Sequence, residues 1–219
     1  MKKYINLTVL TFLLLILSMC SEDYLDVFPE DKITSSSFWK TENDFETALN
    51  GIYAPLKDRG LYGMEAGHDG ISPNGNQWTG GEKAIGNGSF TPNTSSLVKD
   101  CWVSCYKIIS RANYFFEYIQ KENVQISENE KAIFIGEASF LRGLAYAKIA
   151  DTYGGGPIIT SLISSEEART IPRATVEETF AQAIKDYDVA IQNLEVEAPE
   201  TGRATKGAAM GMKMRAYLY

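Results

Sequence analysis

Trp78 lies in a stretch from Leu61 to Ser96 that is rich in glycine and crowded with groups suited to sugars. A sugar ring presents an apolar C–H face edged by hydroxyls. A site for it needs an aromatic platform with amides or charges at the rim. Trp78 supplies the platform, Asn74, Asn76 and Gln77 supply amides beside it, and Asp69 adds a hydrogen-bonding carboxylate, with Glu82 and Lys83 at longer range. A connection of this length is more than a compact domain needs, which points to binding. The residue types leave a second reading open, in which the loop is simply packed and Trp78 covers helix ends.

Cys20 is the other residue with chemistry to do. Lys2 and Lys3 form a basic start, Leu7 to Leu17 is almost wholly apolar, and the run is too short and wrongly flanked for a membrane-spanning helix. Leu17, Ser18 and Met19 approximate the box cut by lipoprotein signal peptidase, although Met19 stands where a small residue is usual. Cleavage there makes Cys20 the first mature residue and the site of lipidation, with several acyl chains holding a soluble domain at a bacterial membrane. An ordinary secretory signal with a chance cysteine is the alternative. Residues 1–19 are thus read as signal, 20–40 as a lipidated tether with an extended segment, and 41–219 as the folded domain.

Other chemistries find little support. His68 is the sole histidine, so a multi-histidine zinc site is excluded, and Asp69 and Asn74 lack calcium-loop spacing. No metal and no cofactor is expected. Cys101 and Cys105, four residues apart on one helical face, read as small buried apolar residues. Gly154-Gly155-Gly156 ends a helix and is not followed by Lys-Ser or Lys-Thr, so it is no phosphate loop. No pair of acids is set apart as a hydrolase would require, and the chain is read as a non-enzyme. Its formal net charge is −7, and removal of the signal takes away two lysines and no acids. Such a surface repels phosphate backbones, which argues against a nucleic-acid partner.

The elements that must position the loop are helices. Thr41 with Asp44 opens the first, along Phe45, Ala48, Ile52 and Leu56, with Gly60 as its stop. Leu97 to Lys121 carries Val98, Cys101, Cys105, Ile108, Ala112, Phe115 and Ile119 at helical steps. Ser127 with Glu130 opens a third helix with Phe134, Ala138, Leu141, Ala145 and Ile149 on one face, ending at the triple glycine and Pro157. Thr175 with Glu178 opens a fourth, along Val176, Phe180, Ile184, Tyr187, Ile191 and Leu194. A fifth starts at Thr205 and keeps its helical character to Tyr219, with no capping signal. The expected class is all-α: tetratricopeptide-like helical hairpins with one long irregular insertion, truncated at the C-terminus. Glu137 and Arg142 are charges on an otherwise apolar helix and are read as packing between repeats, and Arg203, before the cap at Thr205, is read as binding carbonyls or carboxylates of a neighbouring repeat.

The residues resemble the N-terminal part of the SusD/RagB family, the surface glycan-binding lipoproteins of Bacteroidetes nutrient uptake. The blocks that carry the resemblance are Tyr24-Leu25-Asp26, Phe38-Trp39, Ala48-Leu49-Asn50-Gly51-Ile52-Tyr53, Arg111-Ala112-Asn113, Gly136-Glu137-Ala138 with Phe140-Leu141-Arg142, Tyr153-Gly154-Gly155, Pro172-Arg173-Ala174-Thr175 and Gly202-Arg203-Ala204-Thr205. Gly143 and Ala147 stand where larger residues are expected and should loosen the packing. The resemblance implies a non-catalytic lipoprotein at the outer face of the outer membrane. It would bind oligosaccharide and pass it to a SusC-like TonB-dependent transporter, with part of the glycan site in the loop after the first helix. A lipid-anchored adaptor or adhesin for protein or peptide is the alternative.

Overall fold

The computed structural model describes residues 38–63, 70–72, 75, 80–91, 96–121 and 124–219. The chain divides into two compact units, Met1–Phe38 and Trp39–Tyr219, and every helix described belongs to the second. These are α1 (Glu42–Tyr53), α2 (Gly80–Gly86), α3 (Ser96–Ile119), α4 (Glu128–Tyr153), α5 (Val176–Asn193) and α6 (Lys206–Ala216), with short 3-10 turns at Ala54–Lys57 and Glu167–Arg169. Among the described residues there is no strand, only an isolated bridge between Thr41 and Gln125 that ties the start of α1 to the α3–α4 connection.

The sequence starts its helices where the caps are. Thr41, Ser127 and Thr175 each accept a hydrogen bond from the backbone N–H three residues on, and Asp44, Glu130 and Glu178 reach back to the cap's own N–H. Each reciprocal pair satisfies two donors that would otherwise be orphaned at the helix end. Thr205 accepts from the Ala208 N–H and opens α6 in the same way.

Neighbouring helices run antiparallel. The ring of Phe45 in α1 meets that of Phe115 near the end of α3, at 5.6 Å between centroids. Trp102 at the start of α3 meets Tyr153 at the end of α4, and Leu194 at the end of α5 lies over Gly136 near the start of α4. Lys213 in α6 reaches Asp188 in α5 at 2.5 Å. The shared core holds Phe45, Leu49 and Ile52 of α1, Ile108, Ile109 and Phe115 of α3, Leu141, Tyr146 and Ile149 of α4, and Tyr187 of α5. Burying a side chain of this size stabilises the fold by about 1.5–3 kcal/mol. This is the all-α arrangement of stacked hairpins expected from the sequence.

The details differ in ways that have physical causes. α1 stops at Tyr53, short of Gly60, because Pro55 has no N–H to continue the ladder and the chain tightens into a 3-10 turn. Gly60 serves a different purpose: a Cβ there would lie 2.2 Å from the Cys101 nitrogen, so its absence lets the two backbones touch. The insertion is not wholly irregular, since Gly80–Gly86 is helical. α4 is buried around much of its circumference and not on one face, as its buried Gly136, Glu137, Ser139 and Gly143 show. Gly143 does not loosen the packing: a Cβ there would come within 2.9 Å of Tyr187 Cε1, so the Tyr187 ring fills the place of the missing side chain. α6 ends at Ala216, with the Tyr217 N–H shared among the carbonyls of Lys213, Met214 and Arg215, and Lys213 and Arg215 give the last turn the positive charge that its dipole favours.

Candidate functional site

Asp69, Asn74, Asn76, Gln77 and Trp78 lie outside the described residues, as do His68 and Cys20. The described parts of the same insertion, however, border a cleft. Ile71, Ile85 and Phe90 come from the insertion, Leu97, Val98 and Cys101 from the first turns of α3, and Lys148, Thr152 and Tyr153 from the last turns of α4. The cleft has a volume of about 310 Å³. Its lining is mainly apolar, with an ammonium and a threonine hydroxyl at one side, the balance found in sites for small organic ligands.

The helices hold that rim firmly. The Tyr153 hydroxyl donates to the Val98 carbonyl, joining the end of α4 to the start of α3. Gly154 closes α4 in the left-handed conformation at φ 71°, and the Arg173 guanidinium donates to the Tyr153 carbonyl at the same end. The Tyr106 hydroxyl donates to the Pro157 carbonyl at 2.9 Å, which fastens the exit segment. Burial pushes the Tyr106 and Tyr153 phenols well above their ordinary value, so both stay protonated as donors. Cys101 and Cys105 are buried free thiols. The Cys105 thiol donates to the Cys101 sulfur, and this hydrogen bond, reinforced by burial, raises Cys105, which remains uncharged, while it lowers Cys101. Their burial suits packing, as the sequence suggests.

The charges read as links between repeats do link them. Arg142 is bonded to Asp186 and Asn113, and Arg203 lies against Glu46, Glu137 and Glu200. Among the described residues no three His, Cys, Asp or Glu side chains come together as a metal site, and no helix is long and apolar enough to cross a membrane. Sequence reasoning missed Ile71, Ile85, Phe90, Lys148 and Thr152. The apolar residues in the glycine-rich insertion were the available signal, because a solvated loop has no use for a spaced set of them.

A family model described as "Starch-binding associating with outer membrane" matches residues 23–218, and the chain belongs to this SusD-like family. SusD-like protein P25 of Formosa agariphila is 29% identical over 93% of the chain, which covers 41% of that protein. The solved structure of a SusD-like protein from Bacteroides fragilis is 26% identical with a TM-score of 0.70, over 88% of this chain and 38% of that one. A structure described as a laminarin-binding SusD-like protein has a TM-score of 0.71 at 22% identity, over 82% of this chain and 40% of that one, and shares the fold. The chain thus spans less than half the length of the curated relatives it matches.

Proposed function

We propose that this chain is part of a non-catalytic lipoprotein that captures oligosaccharide at the outer face of the outer membrane and delivers it to a SusC-like TonB-dependent transporter. The observation that carries the reading is the cleft between the insertion and the ends of α3 and α4, in a chain of the starch-binding SusD-like family. Trp78 would stack on a sugar face, with Asn74, Asn76, Gln77 and Asp69 bonding its hydroxyls. Lipid on Cys20 would keep the protein at the transporter mouth, where capture raises the local concentration of ligand.

A glycan array probed with the mature full-length protein tests the reading. The expected result is binding to a defined class of oligosaccharide, lost by about tenfold or more in Trp78→Ala. An array that stays silent while a protein or peptide partner is pulled down overturns it in favour of an adaptor. For the anchor, Cys20→Ala should abolish acyl labelling and release the protein from the membrane fraction; retention at the membrane with an unlabelled Cys20 would refute lipidation.

A further inference from the structure

A second cleft, with a volume of about 200 Å³, opens at the other end of α4, where its first turns meet those of α1 and the connection from α5 to α6. It lies about 30 Å along α4 from the cleft beneath the insertion. Ile133, Phe134 and Pro199 give it an apolar wall, and Glu42, Glu46, Glu130, Glu137 and Glu200 line the rest. Among the described residues that line it, Arg203 is the one cation.

Arg203 supplies an independent sign. Its side chain is 10% exposed, with Nη2 donating to Glu46 at 3.0 Å and Nε to Glu200 at 3.3 Å. Nη1 is buried and finds no hydrogen-bond acceptor among the described residues. Glu137 Oε2, its ion-pair partner, stands 3.7 Å away, beyond hydrogen-bond reach, and already accepts from the Tyr53 hydroxyl at 2.6 Å. A buried donor on a charged group is costly to leave unmatched, so this nitrogen calls for an acceptor in the cleft.

The carboxylates call for the opposite. They outnumber the guanidinium in a chain whose formal net charge is −7, and Glu42 is set so near Glu130 that the second carboxylate raises the first above its ordinary value. Like charges held together in this way favour a cation between them. No three of these acids converge as metal ligands do, which favours an organic cation over a metal ion. A ligand that fits therefore offers a hydroxyl to accept from Arg203, an ammonium to donate to the glutamates and a C–H face for Phe134. An amino sugar carries all three.

We propose that this cleft binds an amino-sugar unit of an oligosaccharide, with the ammonium between Glu42 and Glu130, a hydroxyl at Arg203 Nη1 and the ring against Phe134. The choice of a sugar rests on the glycan-capture reading, whereas the choice of a cation rests on the cleft alone.

Titration calorimetry on the mature full-length protein at mildly acidic pH tests it. The probes are an oligomer of glucosamine and its N-acetylated counterpart of equal length, which share a skeleton and differ in charge. The parent should bind the glucosamine oligomer about tenfold more tightly than the acetylated one. Glu42→Gln should weaken binding of the glucosamine oligomer about fivefold and leave the acetylated one unchanged. Its melting temperature without ligand should stay level or rise, because a like-charge contact is removed. Glu166→Gln takes the same charge from an exposed site outside the cleft and should leave both affinities as in the parent. Equal or tighter binding of the acetylated probe by the parent, an unaltered glucosamine affinity in Glu42→Gln, or an equal loss in Glu166→Gln overturns the assignment of this cleft and leaves glycan capture standing. Failure of the parent to bind any oligosaccharide on the array overturns both.

Discussion

The Arg142 guanidinium grips the Asp186 carboxylate with two hydrogen bonds, Nε to Oδ2 at 3.0 Å and Nη2 to Oδ1 at 2.6 Å, across the α4–α5 interface. The same guanidinium donates through Nη1 to Asn113 Oδ1 at 2.8 Å in α3, and the Asn113 amide donates to the carbonyls of Ile159 and Ser161. One side chain, 12% exposed, thereby ties three helices to the segment that leaves α4. Its fork geometry matters more than its charge, because a lysine ammonium cannot set parallel donors on both oxygens of Asp186 while also reaching Asn113.

Removing one partner of this pair should therefore cost more than removing charge at the surface. Asp186→Ala leaves a largely buried guanidinium without its carboxylate and should lower unfolding free energy by about 2–4 kcal/mol. Arg142→Lys should lower it by about 1–3 kcal/mol through loss of the fork. Urea denaturation reads both. Losses under about 0.5 kcal/mol would mean that the network is ornamental.

Glu137 sets a pH dependence of definite sign. It is 1% exposed; the Tyr53 hydroxyl donates to it at 2.6 Å, and Arg203 Nη1 lies 3.7 Å away. Burial raises its carboxyl above the ordinary value of 4.5, against the opposing pull of Tyr53 and Arg203. A carboxyl raised in the folded state contributes stability that is present below the unfolded value and lost as pH rises through the folded one. The difference in unfolding free energy between the parent and Glu137→Gln should accordingly shift toward the parent as pH is lowered from about 7 to about 4.5. Parallel pH profiles, or a shift toward the variant, would contradict the assignment.

The helix starts were legible because the signals are local: Thr41, Ser127 and Thr175 each find their partner three residues away. The stripe of α3 was legible for the same reason, since Cys101, Cys105, Ile108, Ala112, Phe115 and Ile119 are all buried. What escaped depends on partners distant in sequence. The fit of Gly143 to Tyr187 and of Gly60 to Cys101 cannot be read from either residue alone, and neither can the meeting of Ile71, Phe90 and Lys148 around one cleft. The role of Arg142 was foreseeable in kind, as a charge that must be paired in apolar surroundings, but not its choice of Asp186 and Asn113.

Gly143 should be intolerant of even a methyl group. The added Cβ would lie 2.9 Å from Tyr187 Cε1 and 3.1 Å from the Ala183 carbonyl oxygen, and the backbone contact cannot be relieved by rotating a side chain. Gly143→Ala should cost about 1–3 kcal/mol despite the better helix propensity of alanine, which by itself would favour the variant by about 1 kcal/mol. A rise in melting temperature for Gly143→Ala would show that α4 and α5 sit farther apart than this geometry requires.

Trp39 offers a prediction that reverses a usual order. Its ring stacks on Tyr118 at 4.8 Å between centroids and 11° between planes, and also meets Phe45 and Phe115, so it closes the core beside the start of α1. It achieves this with φ at 72°, a left-handed backbone that a side chain disfavours and glycine accepts. Trp39→Ala should lose the ring contacts and cost about 2–4 kcal/mol while keeping the backbone strain. Trp39→Gly loses the same contacts but relieves the strain, so it should be the more stable of the two variants by up to about 1 kcal/mol, although glycine is ordinarily the less stable choice. Chemical denaturation of the two side by side decides the matter: if Trp39→Ala is the more stable variant, the left-handed conformation is not what the packed ring imposes.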